Sequence, residues 1–304
     1  MATRVRVLTI GVVLAVVSAA CGTSGDTATT TTADAAATTT AAPTTTAAPT
    51  TTAAPTTTAV PATTTTESAG AAVDPPAWLG TRVLDVDDAG NALPVPTPPE
   101  LQDRRFRTVD LLPPPSDGVV ATIGPVPADV LARSTWHAGC PIAAEELAYL
   151  TVSFWGFDDL PHTGELVVNA EFADEIAGVF EQLFETRFPI EEMRVVAAEE
   201  LDAPPTGDGN NTTSFVCRQT TGGTSWSQHA YGLAIDLNPF HNPYDRDGRV
   251  LPELATAYLD RNDVRPGMVL DDDFAVAAFA AIGWGWGGDF RSLVDYMHFS
   301  ANDR

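Results

Sequence analysis

The chain contains no lysine, and its 16 basic residues, all arginine, stand against 40 acidic ones for a formal net charge of −24. That shortage of cations excludes broad contact with nucleic acid, because phosphate binding needs clustered positive charge. It equally excludes electrostatic docking on anionic lipid. The missing lysine is read as a compositional bias without a functional message. Long membrane-spanning runs are lacking too, since the apolar stretch from Val7 to Val17 is too short to cross a bilayer as a permanent helix. No Gly-x-Ser-x-Gly, phosphate-binding loop or dinucleotide fingerprint occurs. Cysteine is scarce, with Cys21, Cys140 and Cys217 only.

What is present divides by composition. Arg4 and Arg6 precede the apolar run and Ser18-Ala19-Ala20-Cys21 follows it, the plan of a secretory signal over residues 1–21. A cysteine directly after small residues and before Gly22 resembles a bacterial lipoprotein cleavage site, although Ser18 stands where a Leu is usual. Cleavage there makes Cys21 the lipidated first residue; cleavage nearby without lipidation is the other reading. Residues 22–70 collapse to Thr, Ala and Pro, with APTTTA recurring every six residues. Such a segment buries almost nothing and cannot offset its ordering entropy, so it reads as an extended stalk open to O-glycosylation. Extended, it reaches on the order of 100 Å. Residues 71–126 form a proline-rich transition whose one basic cluster, Arg104-Arg105-Phe106-Arg107, is either a solvated face or a brace against the domain.

Residues 127–304 are long enough for one good core. Ile176, Val179, Phe180, Leu183 and Phe184 recur at helical spacing and predict a helix over Ala173 to Arg187, stopped by Phe188-Pro189. Asp273 to Ile282 predicts a second helix, with Asp at its start and Gly283 after it. Ala144 to Leu150 is expected to open as a helix before the β-rich TVSFWGF. Gly164 to Asn169, Met193 to Ala197 and Thr213 to Cys217 are strand-like. Without a βαβ rhythm, the pattern predicts an α+β fold: a mostly antiparallel sheet with flanking helices.

The chemistry concentrates in two stretches. SWSQHAYGLAIDL, from Ser225 to Leu237, holds His229, Gly232, Ala234 and Asp236. Imidazole and carboxylate are both good Zn²⁺ ligands, and Gly232 permits a tight bend or a close backbone approach between them. A short strand over Ala234 to Leu237, ended by Asn238-Pro239, puts Ala234 and Asp236 on one face and Ile235 and Leu237 on the other. The second stretch, GWGWGGDFRSLVDYMHFS from Gly283 to Ser300, holds Asp295-x-x-His298. His229, Asp236 and His298 make three ligands, the number a catalytic zinc site takes, and Asp295 is a spare carboxylate for proton handling. Asp245-x-Asp247-Gly248 lacks the remaining ligands of a calcium loop and reads as a turn. His137, His162 and His241 have no partner at ligand spacing, and Trp284 and Trp286 are expected to pack beside the metal site.

These segments resemble the D-alanyl-D-alanine carboxypeptidase and L-alanyl-D-glutamate endopeptidase family of zinc peptidases. Its Ser-x-His-x-x-Gly-x-Ala-x-Asp falls on Ser227, His229, Gly232, Ala234 and Asp236; its closing Asp/Glu-x-x-His falls on Asp295 and His298; and its Gly-Trp-x-Trp-Gly-Gly falls on Gly283 to Gly288. NNTTSFVCR (Asn210 to Arg218) and NPFHNPY (Asn238 to Tyr244) are also similar to family members, and the resemblance runs over roughly the last two-thirds of the chain. It implies His229, Asp236 and His298 as zinc ligands and Asp295 as general base. Arg218 would steady the carbonyl oxygen or bind a substrate carboxylate, with a structural ion pair as the alternative. Ser227 would contact substrate, orient His229 or serve as a plain turn residue.

The expectation is therefore a Zn²⁺-dependent peptidase of peptidoglycan stem peptides, a carboxypeptidase on D-Ala-D-Ala or an endopeptidase between L-Ala and D-Glu. It would be monomeric and extracytoplasmic, held to the membrane only by lipid on Cys21, or secreted without it. With Cys21 lipidated, Cys140 and Cys217 remain as an even pair in an exported protein and are expected to form a disulfide, while their spacing argues against a zinc site. A non-catalytic cell-wall-peptide-binding module on the same stalk is the alternative function, and an inert surface spacer a third.

Overall fold

The strand-forming stretches on either side of Gly156 pair along their whole length in the computed structural model, which describes residues 71–302 apart from 89, 117 and 222. The signal-like segment, Cys21 and the Thr/Ala/Pro repeat lie outside the described residues. Strand β1 (Ala121–Pro125) pairs antiparallel with β2 (Leu147–Trp155), which pairs antiparallel with β3 (Pro161–Asn169). Between β1 and β2 lies the short helix α1 (Ala128–Arg133). The segment expected to open as a helix makes only a 3-10 turn over Ala144–Glu146. From Leu147 onward, nine residues of cross-strand pairing with β3 override the helical spacing of its apolar residues.

Helix α2 (Ala173–Glu185) lays Ile176, Val179, Phe180 and Leu183 on Leu150, Val152, Phe154, Leu166 and Val168 of the sheet. It ends two residues before the predicted limit. Arg187 takes a left-handed φ of 56°, and Phe188 N–H bonds back to the Leu183 carbonyl at 2.9 Å, a Schellman closure. Helix α3 (Phe274–Ala281) is capped by Asp273, whose Oδ1 accepts from Phe274 N–H at 2.7 Å. Gly283 closes it at φ 80°, with Trp284 N–H on the Phe279 carbonyl and the two rings stacked.

The remaining strands are short. β4 (Glu192–Met193) and β5 (Asn211–Thr212) form a two-stranded parallel pair; β6 (Ala234–Asp236), β11 (His298–Ser300) and β9 (Gly285–Trp286) form one antiparallel sheet; β10 (Val294–Asp295), β7 (Tyr244–Arg246) and β8 (Arg249–Leu251) form another. The strands expected over Met193 to Ala197 and Thr213 to Cys217 are mostly extended loop. Their backbone groups go elsewhere: Arg194 N–H to Asn211 Oδ1, Phe215 N–H to the Val167 carbonyl, Val216 N–H to the His229 carbonyl. Asp247-Gly248 turns β7 into β8 with φ of 54° and 82°, the two left-handed positions of a type I′ hairpin. The described residues are thus α+β with mostly antiparallel pairing.

Residues 71–126 contribute to the packing. Leu101 and Phe106 share a second core with Phe240, Leu254 and Tyr258, and Val73 bridges to Phe106. Within the basic cluster, Arg104 is buried and clamps Glu191 through two hydrogen bonds of 2.8 and 2.6 Å. Arg107 instead reaches exposed Asp74, so the cluster is part brace and part surface.

Candidate metal centre

The main core fixes the back of the site. Ile235, Leu237 and Phe299 are wholly buried in it, so strand alternation turns Asp236 and His298 to the opposite face. In the β6–β11 register Asp236 lies directly across from His298. His229 comes from the 3-10 turn Gln228–Tyr231 just before β6, and Ser227 caps that turn, its Oγ accepting from His229 N–H at 3.3 Å. Gly232 then takes φ 65° and runs so close to β3 that a Cβ there would stand 2.5 Å from Asn169 N. Both readings of this glycine therefore hold: it bends left-handed and it permits a close approach.

The three side chains converge. His229 Nε2 is 3.2 Å from Asp236 Oδ2, His298 Nδ1 is 3.1 Å from Asp236 Oδ1, and the two ring nitrogens are 3.3 Å apart. His229 Nδ1 lies 2.6 Å from the Ser214 carbonyl, which can only accept, so Nδ1 carries the proton and Nε2 presents a lone pair. That lone pair faces an acceptor carboxylate and a second imidazole nitrogen. Burial alone would raise the Asp236 pKa, yet the two imidazoles outweigh it and hold the carboxyl far below the usual range. An ionised carboxylate and an oriented imidazole meeting a second ring nitrogen at one point is a donor set that suits a divalent cation, zinc above all.

Asp295 lies on β10, paired with Tyr244 of β7, and lines the same cleft. Its Oδ1 is buried without a hydrogen-bond partner among the described residues. Burial pushes its carboxyl up to about 7, His298 and Arg218 pull it down, and Asp236 adds to the rise. The tryptophan–glycine motif positions this acid. Trp286 Nε1 donates to the Tyr296 carbonyl at 2.9 Å, tying β9 to the segment between Asp295 and His298. A Cβ on Gly287 would sit 2.4 Å from the Asp295 carbonyl oxygen, and one on Gly288 would strike the Trp286 ring. Trp284 and Trp286 are themselves core residues.

Arg218 lines the cleft, half-buried, and forms no ion pair among the described residues; its Nη1 donates to the Gln219 carbonyl at 3.2 Å. Its backbone carbonyl accepts from Ser227 N–H, so the two residues face each other across one small hairpin. Cys140 and Cys217 form a disulfide spanning 77 residues. His137 stands beside it, but both thiols are consumed by the bond and cannot join a metal site. His241 is fully buried between the Arg104 carbonyl and Asn210, and burial lowers its pKa to about 4. The cleft holds about 890 Å³ and is also lined by Trp226, Arg246, Glu253 and Phe290. The sequence reading missed these, because they enter from separate loops and carry no spacing signal. Ser214 was likewise invisible, since it acts through its backbone.

No curated protein and no solved structure matched the chain. A family model described as D-alanyl-D-alanine carboxypeptidase matches residues 221–301, a shorter stretch than the sequence resemblance, containing His229, Asp236, Asp295 and His298 but not Arg218. Over this segment, about a quarter of the chain, the protein is similar to the D-alanyl-D-alanine carboxypeptidase family of peptidases.

Proposed function

We propose that the chain is a zinc-dependent peptidase that hydrolyses peptidoglycan stem peptides outside the cytoplasmic membrane. The observation that carries this reading is the convergence of His229, Asp236 and His298 on one point within 4.8 Å, with Asp295 lining the same cleft. His229, Asp236 and His298 would hold the ion, and Ser214 and Ser227 orient His229 through its ring and its backbone. Zinc in that position supplies Lewis acidity to a scissile carbonyl and acidifies water at neutral pH. Asp295 Oδ1, buried and unpartnered, takes the proton from the attacking water and returns it to the leaving amine. Arg218, free of any carboxylate partner, offers its guanidinium fork to the substrate carbonyl oxygen or a substrate carboxylate. Ser227 is committed through its Oγ to the His229 turn, which supports an orienting role.

The bond is the terminal one of D-Ala-D-Ala or that between L-Ala and D-Glu, and the loops that line the cleft decide between them. The Thr/Ala/Pro stalk, with lipid on Cys21, would place a monomeric enzyme within reach of the wall. The test is incubation of purified, zinc-loaded protein with muropeptides, followed by mass analysis. Loss of one alanine, or release of the peptide beyond L-Ala, is expected, abolished by a chelator and restored by Zn²⁺. Muropeptides bound but unchanged would make the chain a binding module.

A further inference from the structure

Among the described residues, the buried carboxylates outside the metal centre are held by cations or by neighbouring donors, with one exception. Glu165 and Glu191, 3% and 8% exposed, are held by Arg133 and Arg104 at 2.5 and 2.6 Å, and buried Asp208 accepts from Gly80 N–H and the Thr206 hydroxyl. Glu253 is 7% exposed, yet among the described residues its carboxylate forms no ion pair, and the hydrogen bond it accepts comes from its own backbone N–H. Arg249 is the cation whose field it feels, without contact. A carboxylate recessed in a cleft without a cationic partner keeps most of its acceptor capacity for a ligand.

Glu253 lines the cleft of the candidate metal centre. Its place there owes nothing to its side chain. The Glu253 carbonyl accepts from Val95 N–H at 3.2 Å, and Leu254 N–H bonds to the Gly207 carbonyl at 2.9 Å. Gly207 and Gly209 line the cleft beside it; a Cβ on Gly207 would lie 3.4 Å from Glu253 Cβ, and one on Gly209 would meet nothing. Gly207 is closed in by Leu84, 2.5 Å from where its Cβ would stand, whereas Gly209 leaves open space on the cleft wall near the carboxylate. The other cleft carboxylates are spoken for, Asp236 by two imidazoles and Asp295 by proton transfer. Arg218 and Arg246 complete the charge pattern, so the cleft presents cations for carboxylates and one free anion for a cation.

We propose that Glu253 is the residue by which this cleft recognises a free amino group on its substrate, so that the preferred substrates are peptides carrying a diamino residue with an unmodified side-chain amine. This rests on the peptidase reading for the word substrate, but the binding it asserts stands apart from hydrolysis. An ammonium is compact and brings three donors, which suits a single carboxylate in a recess better than a planar guanidinium does. Burial raises the Glu253 pKa above that of a free carboxyl, and an ammonium alongside would offset that rise.

The test uses two N-acetylated pentapeptides ending in D-Ala-D-Ala, one with lysine third and one with Nε-acetyllysine there. Each is titrated calorimetrically into zinc-loaded full-length protein carrying Asp295→Asn, with and without Glu253→Gln. The free-amine peptide should bind about tenfold more tightly than its acetylated counterpart, as a charge-assisted hydrogen bond requires, and Glu253→Gln should bring the two Kd values together. Equal Kd values without the Gln change, or a preference that survives it, would overturn the proposal. A preference in binding, without hydrolysis by the unmodified protein, would support the amine subsite while refuting the peptidase reading. Glu253→Gln is nearly isosteric at a side chain without a cationic partner, so an unchanged Tm confirms that any lost preference is local.

Discussion

At the scale of single residues, the site depends on positions whose contribution is backbone shape. Gly232 lies between His229 and Asp236 with a left-handed φ and β3 backbone at van der Waals limits on its open side. Gly232→Ala adds both a conformational strain and a clash with atoms that cannot rotate away. It should destabilise the fold by more than about 2 kcal/mol and reduce zinc retention, because His229 and Asp236 are separated by that turn. Denaturant unfolding and metal analysis check this; wild-type values of both would show that the turn tolerates a side chain. Ser227 and Ser214 act at the same scale, one by its hydroxyl and one by its carbonyl.

At the scale of elements, the β2–β3 ribbon and α1 share a charge network of Glu165, Tyr149 and Arg133. Burial alone would raise the Glu165 pKa, but Arg133 and Tyr149, at 2.5 and 2.6 Å, outweigh it and hold the value below 4.5. A carboxyl depressed on folding stabilises the protein fully above its unfolded value and loses that contribution as pH falls through the folded one. Tm should therefore drop as pH falls below about 4.5, and Glu165→Gln should flatten that part of the profile. At neutral pH the same change should cost about 1–2 kcal/mol, a modest figure because Arg133 is half-exposed. Identical acid limbs in the two proteins would contradict the assignment.

Elements also show what sequence reveals. Helix α2 was legible from its apolar spacing and the Phe188-Pro189 stop, and helix α3 from the Asp at its start and the glycine after its end. The β6 strand was legible because alternation and Asn238-Pro239 bound it. The 3-10 turn at Ala144–Glu146 was not, since Leu147 and Leu150 fall at helical spacing and only the pairing with β3 makes this stretch a strand. The loops at 194–197 and 214–217 look strand-like because they are apolar and buried, but their hydrogen bonds run to scattered partners. In the site, the convergence of His229, Asp236 and His298 could be anticipated from their fixed spacing. Arg246 and Glu253 could not, because they reach the cleft from a hairpin and the loop after it that carry no motif.

At the scale of the whole molecule, the Cys140–Cys217 bond closes a 77-residue loop, which by chain entropy contributes about 2–4 kcal/mol to stability. The forty acidic residues give no second means of holding a membrane surface. Cys21→Ser should therefore abolish acylation and move the protein from the membrane fraction to the medium. Unchanged fractionation would show that the tether lies elsewhere.

The most direct test separates holding the metal from moving the proton. Zinc content and muropeptide hydrolysis are to be measured side by side in Asp295→Asn and Asp236→Asn. Asp295→Asn keeps size and shape but cannot accept a proton, so zinc should stay near wild type while turnover falls by about 10²-fold or more. Asp236→Asn replaces an ionised ligand by a neutral amide and should lose zinc and activity together. Metal loss in Asp295→Asn with retention in Asp236→Asn would reverse the two roles, and hydrolysis unaffected by either change would contradict the account of this site.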